Sequence, residues 1–306
     1  MPNSNNFLEN KKIRLLKWPT FFLIAVSLFF AACSGDNGTV EDSAEEVNTT
    51  EPTPTNLPSS TPTPIDSLDT STPITSPTPV LSQFEQDEKD GIIRSPLNGT
   101  AVSEESLTQR VLGVKIDNHL EARPQSGIEK ADLIFEIWVE GLTRYLALFQ
   151  ASDVDYLGPI RSMRPTDIAL QNPLATTFVN SGGQNWVAEI AWNSSVLYFL
   201  EPEGTFRIND RYPPHNLYGD TVALRELDNR GDYDEPIGAL WNFGEMPQDA
   251  TPATQITMTY PYNFSSSWYW NPVLNYYEKN TTGNPHYYLD SEGNAQRVSA
   301  DTLIVF

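Results

Sequence analysis

Residues 131–150 read ADLIFEIWVEGLTRYLALFQ, and the alternation inside this stretch decides the fold. Successive side chains of a strand point to opposite faces. Leu133, Phe135, Ile137 and Val139 therefore share one apolar face, and Glu136, Trp138 and Glu140 share the other. Gly141-Leu142 between them reads as a two-residue Gly-X turn of type II′. That turn would pair Glu140 with Thr143 and Trp138 with Tyr145, placing two carboxylates around an aromatic pair. The stretch is predicted to be a hairpin over 131–140 and 143–150. Just upstream, 111–116 is a short apolar run that reads as a buried strand ending in Asp117-Asn118-His119.

Outward from the hairpin, 165–174 suits a helix with Pro165 in its first turn. Residues 176–180 suggest a strand running into Ser181-Gly182-Gly183, 186–192 a helix, 196–200 and 205–209 strands, and 220–229 a helix. Strands alternating with helices predict an α/β fold, with a sandwich-like α/β domain over 92–240. After Gly231 the texture changes: 255–260, 268–278, 286–289 and 302–306 are strand-like, separated by Gly, Asn and Asp. This predicts a smaller β-rich C-terminal lobe over 241–306. The final Leu303-Ile304-Val305-Phe306 has no polar finish, so the lobe is expected to be truncated.

The other end of the chain speaks of location. Lys11, Lys12, Arg14 and Lys17 precede an apolar run from Phe21 to Phe30, followed by Ala31, Ala32 and Cys33. A basic segment, a short apolar run and small residues make a secretory signal over 1–32. Crossing a bilayer takes about 20 apolar residues, more than this run supplies. The cysteine directly behind it marks a bacterial lipoprotein, with a diacylglyceryl group expected on Cys33. From 33 to 91 the chain is Ser, Thr, Pro, Asp and Glu, with Thr-Pro repeats, a composition that stays disordered. Stretched as polyproline II it would reach about 170 Å, enough to lift a domain off the membrane.

The formal charge is −21, and removing the signal, with its four Lys/Arg and one Glu, leaves a mature chain near −24. Such a chain offers no basic footprint for nucleic acid. Cys33 is the single cysteine, so once it is acylated disulfides, thiolate catalysis and cysteine metal sites are excluded. No phosphate-loop, dinucleotide, nucleophile-elbow or zinc-protease motif is present. No cofactor is expected. The three histidines, His119, His215 and His286, lie far apart in sequence, and no metal is assigned to them.

The chemistry-bearing residues concentrate between Asp117 and Asp167. Half of the fourteen Lys/Arg beyond the linker's acidic tract, counted from Arg94, lie between Arg110 and Arg164. An ordered series runs Val114-Lys115-Ile116-Asp117-Asn118-His119, Ala122-Arg123-Pro124-Gln125-Ser126-Gly127, Val139-Glu140-Gly141, Thr143-Arg144 and Gly158-Pro159-Ile160-Arg161-Ser162-Met163-Arg164-Pro165. It continues with Ser181-Gly182-Gly183 and Pro214-His215-Asn216. The series resembles the YerB-like lipoproteins, a bacterial family whose domain has no established function. The resemblance spans most of 96–306 and implies an N-terminal α/β domain followed by a β-rich part. Family members often carry a histidine near the Gly-Gly turn, where this chain has Asn180 and Ser181.

The candidate ligand-binding residues are Asp117, Asn118, His119, Arg123, Glu136, Glu140, Arg144, Arg161, Arg164, His215 and Asn216. Arg161 and Arg164 flank a helix start, and guanidinium forks favour phosphate or carboxylate. A buried ion network would account for the same residues, because buried charges must be paired. Glu136 and Glu140 around Trp138 also suggest a sugar-binding face or a glycosidase-like acid and base. The expected role is non-catalytic: binding or scaffolding for an anionic ligand, a cell-wall glycan or an envelope protein. The alternative is a hydrolase using Glu136, Glu140 or His215.

Overall fold

The computed structural model describes residues 83–244 and 249–306. The signal, Cys33 and most of the linker lie outside the described residues. At the centre is the strand Leu112–Ile116, buried along its whole length. Burial on both faces explains why it reads as an apolar run without alternation. On one side it pairs antiparallel with Leu142–Phe149, which pairs in turn with Leu133–Val139. On the other it runs parallel to Thr177–Asn180, which runs parallel to Leu197–Leu200. The result is a mixed five-stranded sheet.

The two faces of this sheet sort by the period of two. Tyr145, Ala147 and Phe149 join Leu112, Val114, Ile116 and Val179 in one core cluster. Leu146 and Leu148 join Phe178, Met163, Ile168, Val187 and Ala191 in the other. The helices Pro165–Gln171 and Asn185–Trp192 cover the second face. A fully buried side chain of this size contributes about 1.5–3 kcal/mol. Gly113 allows the closest approach: a Cβ there would lie 1.8 Å from Gln171 Oε1.

Beyond residue 249 an antiparallel sheet contains Gln255–Tyr260, Phe264–Asn271, Tyr276–Thr281 and Asn284–Pro285. A further strand, Tyr287–Leu289, pairs with Ala295–Arg297 and runs parallel to Gln125–Ser126 of the α/β part. The β-rich part is therefore joined by main-chain bonds to the segment Gln125–Ser126, which lies outside the five-stranded sheet. Val298, Trp268 and Tyr288 pack against the sheet's first face.

Several expectations need correction. The hairpin turns on Glu140-Gly141, both with positive φ (51° and 92°), pairing Val139 with Leu142 and Trp138 with Thr143. Two positive φ values are the type I′ pattern, whose twist matches that of the strands. The shift by two residues preserves the faces but takes Glu140 out of the strand. Residues 268–278 are not one strand: Asn271 Oδ1 accepts from the amides of Val273 and Leu274, and Asn275 has φ 58°, so the chain reverses there. The helix expected over 220–229 is shorter, Thr221–Arg225, capped by Asp220. Residues 302–306 form no strand, and Ile304, Val305 and Phe306 are exposed. The linker's last residues carry a helix, Gln83–Lys89, with Asp87 paired to Arg94.

Candidate functional site

The parallel strands Leu112–Ile116 and Thr177–Asn180 end side by side, and the segment around Arg161 crosses their ends. The Arg161 amide donates to Lys115 O at 2.8 Å, and Arg161 O accepts from the Ser181 amide at 3.0 Å. Ligands bind beyond strand C-termini in open α/β sheets. Here that edge presents Asp117, Asn118, His119 and Arg161, with Arg144 and Glu140 arriving from the hairpin and Arg164 from the start of the next helix.

Asp117 is buried and central. Its Oδ1 accepts from the His119 amide at 3.0 Å. Its Oδ2 lies 2.8 Å from His215 Nδ1 and 3.1 Å from Arg161 Nε. His119 and His215 stack with ring centroids 4.8 Å apart and planes 13° from parallel. Asn118 is structural: it donates to Thr143 Oγ1 at 2.8 Å and accepts from Arg123 Nε at 3.0 Å. Arg123 also donates to Asn118 O at 2.8 Å, so this guanidinium locks the loop after the strand. Asn216 accepts from Arg207 NH1 at 2.7 Å and donates to Ile208 O, a commitment away from the cluster.

Three guanidinium groups converge on two carboxylates. Arg164 grips Glu140 through Nε and NH2 at 2.9 and 2.8 Å. Arg144 NH2 stands 3.6 Å from the same carboxylate. The remaining Arg144 nitrogens, Nε and NH1, are buried without a hydrogen-bond partner, whereas Arg161 Nε has Asp117 Oδ2 at 3.1 Å as an ion-pair partner. Arg144 is 6 % exposed. Burial lowers its pKa, and Arg164 and Arg161 push it further down against the pull of Asp117 and Glu140. Below lies a closed pair that needs nothing more: Lys115 Nζ donates to Asp167 Oδ1 at 2.6 Å, both side chains fully buried.

Glu136 does not join this group. Its Oε1 accepts from Thr143 at 2.7 Å, and its Oε2 from Ser266 at 2.8 Å and Lys279 Nζ at 2.6 Å. Burial pushes its carboxyl up, but Lys279 and the hydrogen bonds outweigh that and hold it below the ordinary range. Trp138 stacks on Tyr260 at 4.8 Å and 2°, with Phe264 beside it. The face that suggested sugar binding is thus covered by the β-rich part, and the paired carboxylates serve two unrelated networks. His286 is also separate: buried, bonded to Thr281 and Gln125, and pushed down to about 2 by burial and by Arg123, Lys279 and Arg297.

Glu121 was not singled out in the sequence. It follows His119 by two residues, and its Oε2 lies 3.3 Å from His215 Nε2 and 3.7 Å from His119 Nδ1. A histidine two residues from an acid, just past a strand, was the available signal.

Residues 97–234 match a family model described as "Protein of unknown function (DUF3048) N-terminal domain". This stretch is YerB-like. Over 131 residues the chain is 34% identical to "Putative lipoprotein YerB" of Bacillus subtilis (strain 168), covering 41% of this chain and 40% of that relative. The chain thus spans about 40% of the length of the curated relative it matches. The crystal structure of YerB from Bacillus subtilis is similar at a TM-score of 0.56 and 23% identity, covering 67% of this chain and 72% of that one. At that identity the likeness shows the fold. The YerB-like stretch contains all the candidate site residues, and the cationic partner of Glu136, Lys279, lies beyond it. No helix of the described residues is long and apolar enough to cross a membrane.

Proposed function

We propose that this chain is a lipid-anchored protein on the extracytoplasmic face of a bacterial membrane, and that its folded part binds an anionic ligand through Arg144, Arg161 and Arg164. The anchor rests on Cys33 behind its basic and apolar segment and on the name its Bacillus relative carries. A second signal beyond one acyl chain is needed for stable attachment, which a diacylglyceryl group supplies.

The observation that carries the ligand is Arg144, whose Nε and NH1 are buried without an acceptor. Buried donors left without an acceptor are costly, even on a guanidinium whose third nitrogen has an ion-pair partner. The planar guanidinium matches carboxylate and phosphate oxygens two at a time. Three arginines facing Asp117 and Glu140 leave a positive excess in an otherwise acidic chain. A carboxylated envelope glycan and a phosphate-bearing polymer share the chemistry these arginines would take. Glu140 acts as the internal counter-anion in the absence of ligand.

A hydrolase has less support. Glu136 is spent on Lys279, Thr143 and Ser266, and a carboxyl held low is a poor general acid. His215 has Asp117 behind it, but among the described residues no nucleophile is hydrogen-bonded to it.

The test is calorimetric titration of the full chain carrying Cys33→Ser with inorganic phosphate, glucuronate and uncharged glucose. The anions bind and glucose does not. Arg161→Ala weakens anion binding at least tenfold while the protein still melts cooperatively. A folded Arg161→Ala protein with unchanged anion affinity overturns the proposal.

A further inference from the structure

His119, Glu121 and His215 put three ligand atoms within 4.8 Å of one another. We infer that they form a binding site for a divalent transition-metal ion, zinc being the best fit. The inference is independent of the arginine cluster, although the two share Asp117.

In the neutral imidazole of His215, Nδ1, 2.8 Å from Asp117 Oδ2, is the donor, which leaves a lone pair on Nε2. Nε2 faces Glu121 Oε2 at 3.3 Å. His119 Nδ1 is an acceptor too: it takes the Glu121 amide at 3.3 Å, a bond that a metal at this nitrogen would replace, and it lies 3.7 Å from the same carboxylate oxygen. Three acceptors therefore converge, and a cation between them resolves the conflict.

Geometry agrees. Zinc bonds to nitrogen and oxygen of about 2.0–2.1 Å in a tetrahedron set ligand-to-ligand edges of about 3.3–3.4 Å. Two edges stand at 3.3 and 3.7 Å and the third within 4.8 Å, so the exposed His119 ring, stacked on His215, has to turn to close the tetrahedron. The carboxylate behind His215 is the outer partner that metal-bound histidines characteristically have, fixing both tautomer and ring orientation. Two histidines with one glutamate leave a fourth position for water or another ligand. Imidazole nitrogen favours zinc, copper, nickel or iron over magnesium or calcium. Glu121, 74 % exposed at its side chain, gives the ion a way in.

Equilibrium dialysis of the full chain carrying Cys33→Ser against zinc, with millimolar calcium present to saturate surface carboxylates, reads the site. One zinc per chain is expected. His119→Ala and Glu121→Ala, both at solvent-accessible positions, each reduce affinity at least tenfold, and His215→Ala abolishes it. Asp117→Asn, acting through His215, reduces it about 10–100-fold. Cobalt bound in zinc's place gives the strong visible bands of a four-coordinate site, lost in Glu121→Ala. Arg161→Ala leaves zinc binding within threefold, so failure of the anion proposal and failure of this one are distinguishable. No zinc uptake at calcium saturation, or uptake unchanged by His119→Ala and Glu121→Ala, overturns the inference.

Discussion

Arg164 holds Glu140 through two parallel hydrogen bonds of 2.9 and 2.8 Å, across 24 residues of sequence. The carboxylate projects from a turn residue with positive φ, so the hairpin's type I′ geometry aims it at the arginines. Glu140 thereby occupies one guanidinium and part of the field of a second, and an incoming anion competes with it.

Glu140→Gln therefore tightens phosphate binding several-fold. Its stability cost stays within about 1 kcal/mol, because an exposed ion pair contributes little. Titration and a melting curve on the same protein check both halves. Weaker phosphate binding would show Glu140 to be part of the ligand contact and not its competitor.

The Glu136–Lys279 pair joins the α/β part to the β-rich part, and removing one partner leaves the other buried. Lys279→Met is expected to destabilise by about 3–5 kcal/mol. Chemical denaturation measures it. A loss below about 1 kcal/mol would mean that water reaches Glu136.

Much of this arrangement is legible in sequence. Periodicity places the strand ending at Asp117 and the hairpin faces, and the strand-end rule brings Arg161, Arg164, Arg144 and Glu140 to one edge. Lys279 is not legible. Glu278-Lys279-Asn280 reads as the polar surface of a strand, and only the antiparallel register against Phe264–Asn271 turns Lys279 inward to Glu136. The role of Glu136 is lost for the same reason: Ser266 and Lys279, the partners of its Oε2, lie 130 and 143 residues away. The convergence of His119 with His215 depends on a long loop closing over the strand end, which no local pattern encodes.

Burial depresses His286 from 6.5 to about 2. Below pH 6.5 the unfolded chain takes up a proton that the folded chain refuses, so stability falls as pH falls through that range. The contribution is fully present above about pH 6.5 and is lost at up to about 1.4 kcal/mol per pH unit below it. Melting wild type and His286→Gln at pH 7 and pH 5 separates this term: wild type loses about 2 kcal/mol more than the variant. Equal losses would place the titration elsewhere.

Cys33→Ser abolishes incorporation of a fatty-acid analogue, since the chain has no second cysteine. Metabolic labelling checks it, and equal labelling of both proteins would remove the anchor from the account.

The central claim is that the unpartnered nitrogens of Arg144 await an anion. Titrating inorganic phosphate into the full chain carrying Cys33→Ser, with and without Arg144→Met, tests it most directly. At least tenfold weaker binding is predicted in Arg144→Met with melting unchanged or raised, because two buried donors without an acceptor have been removed while Glu140 keeps Arg164. Unchanged phosphate affinity in a folded Arg144→Met protein would contradict it.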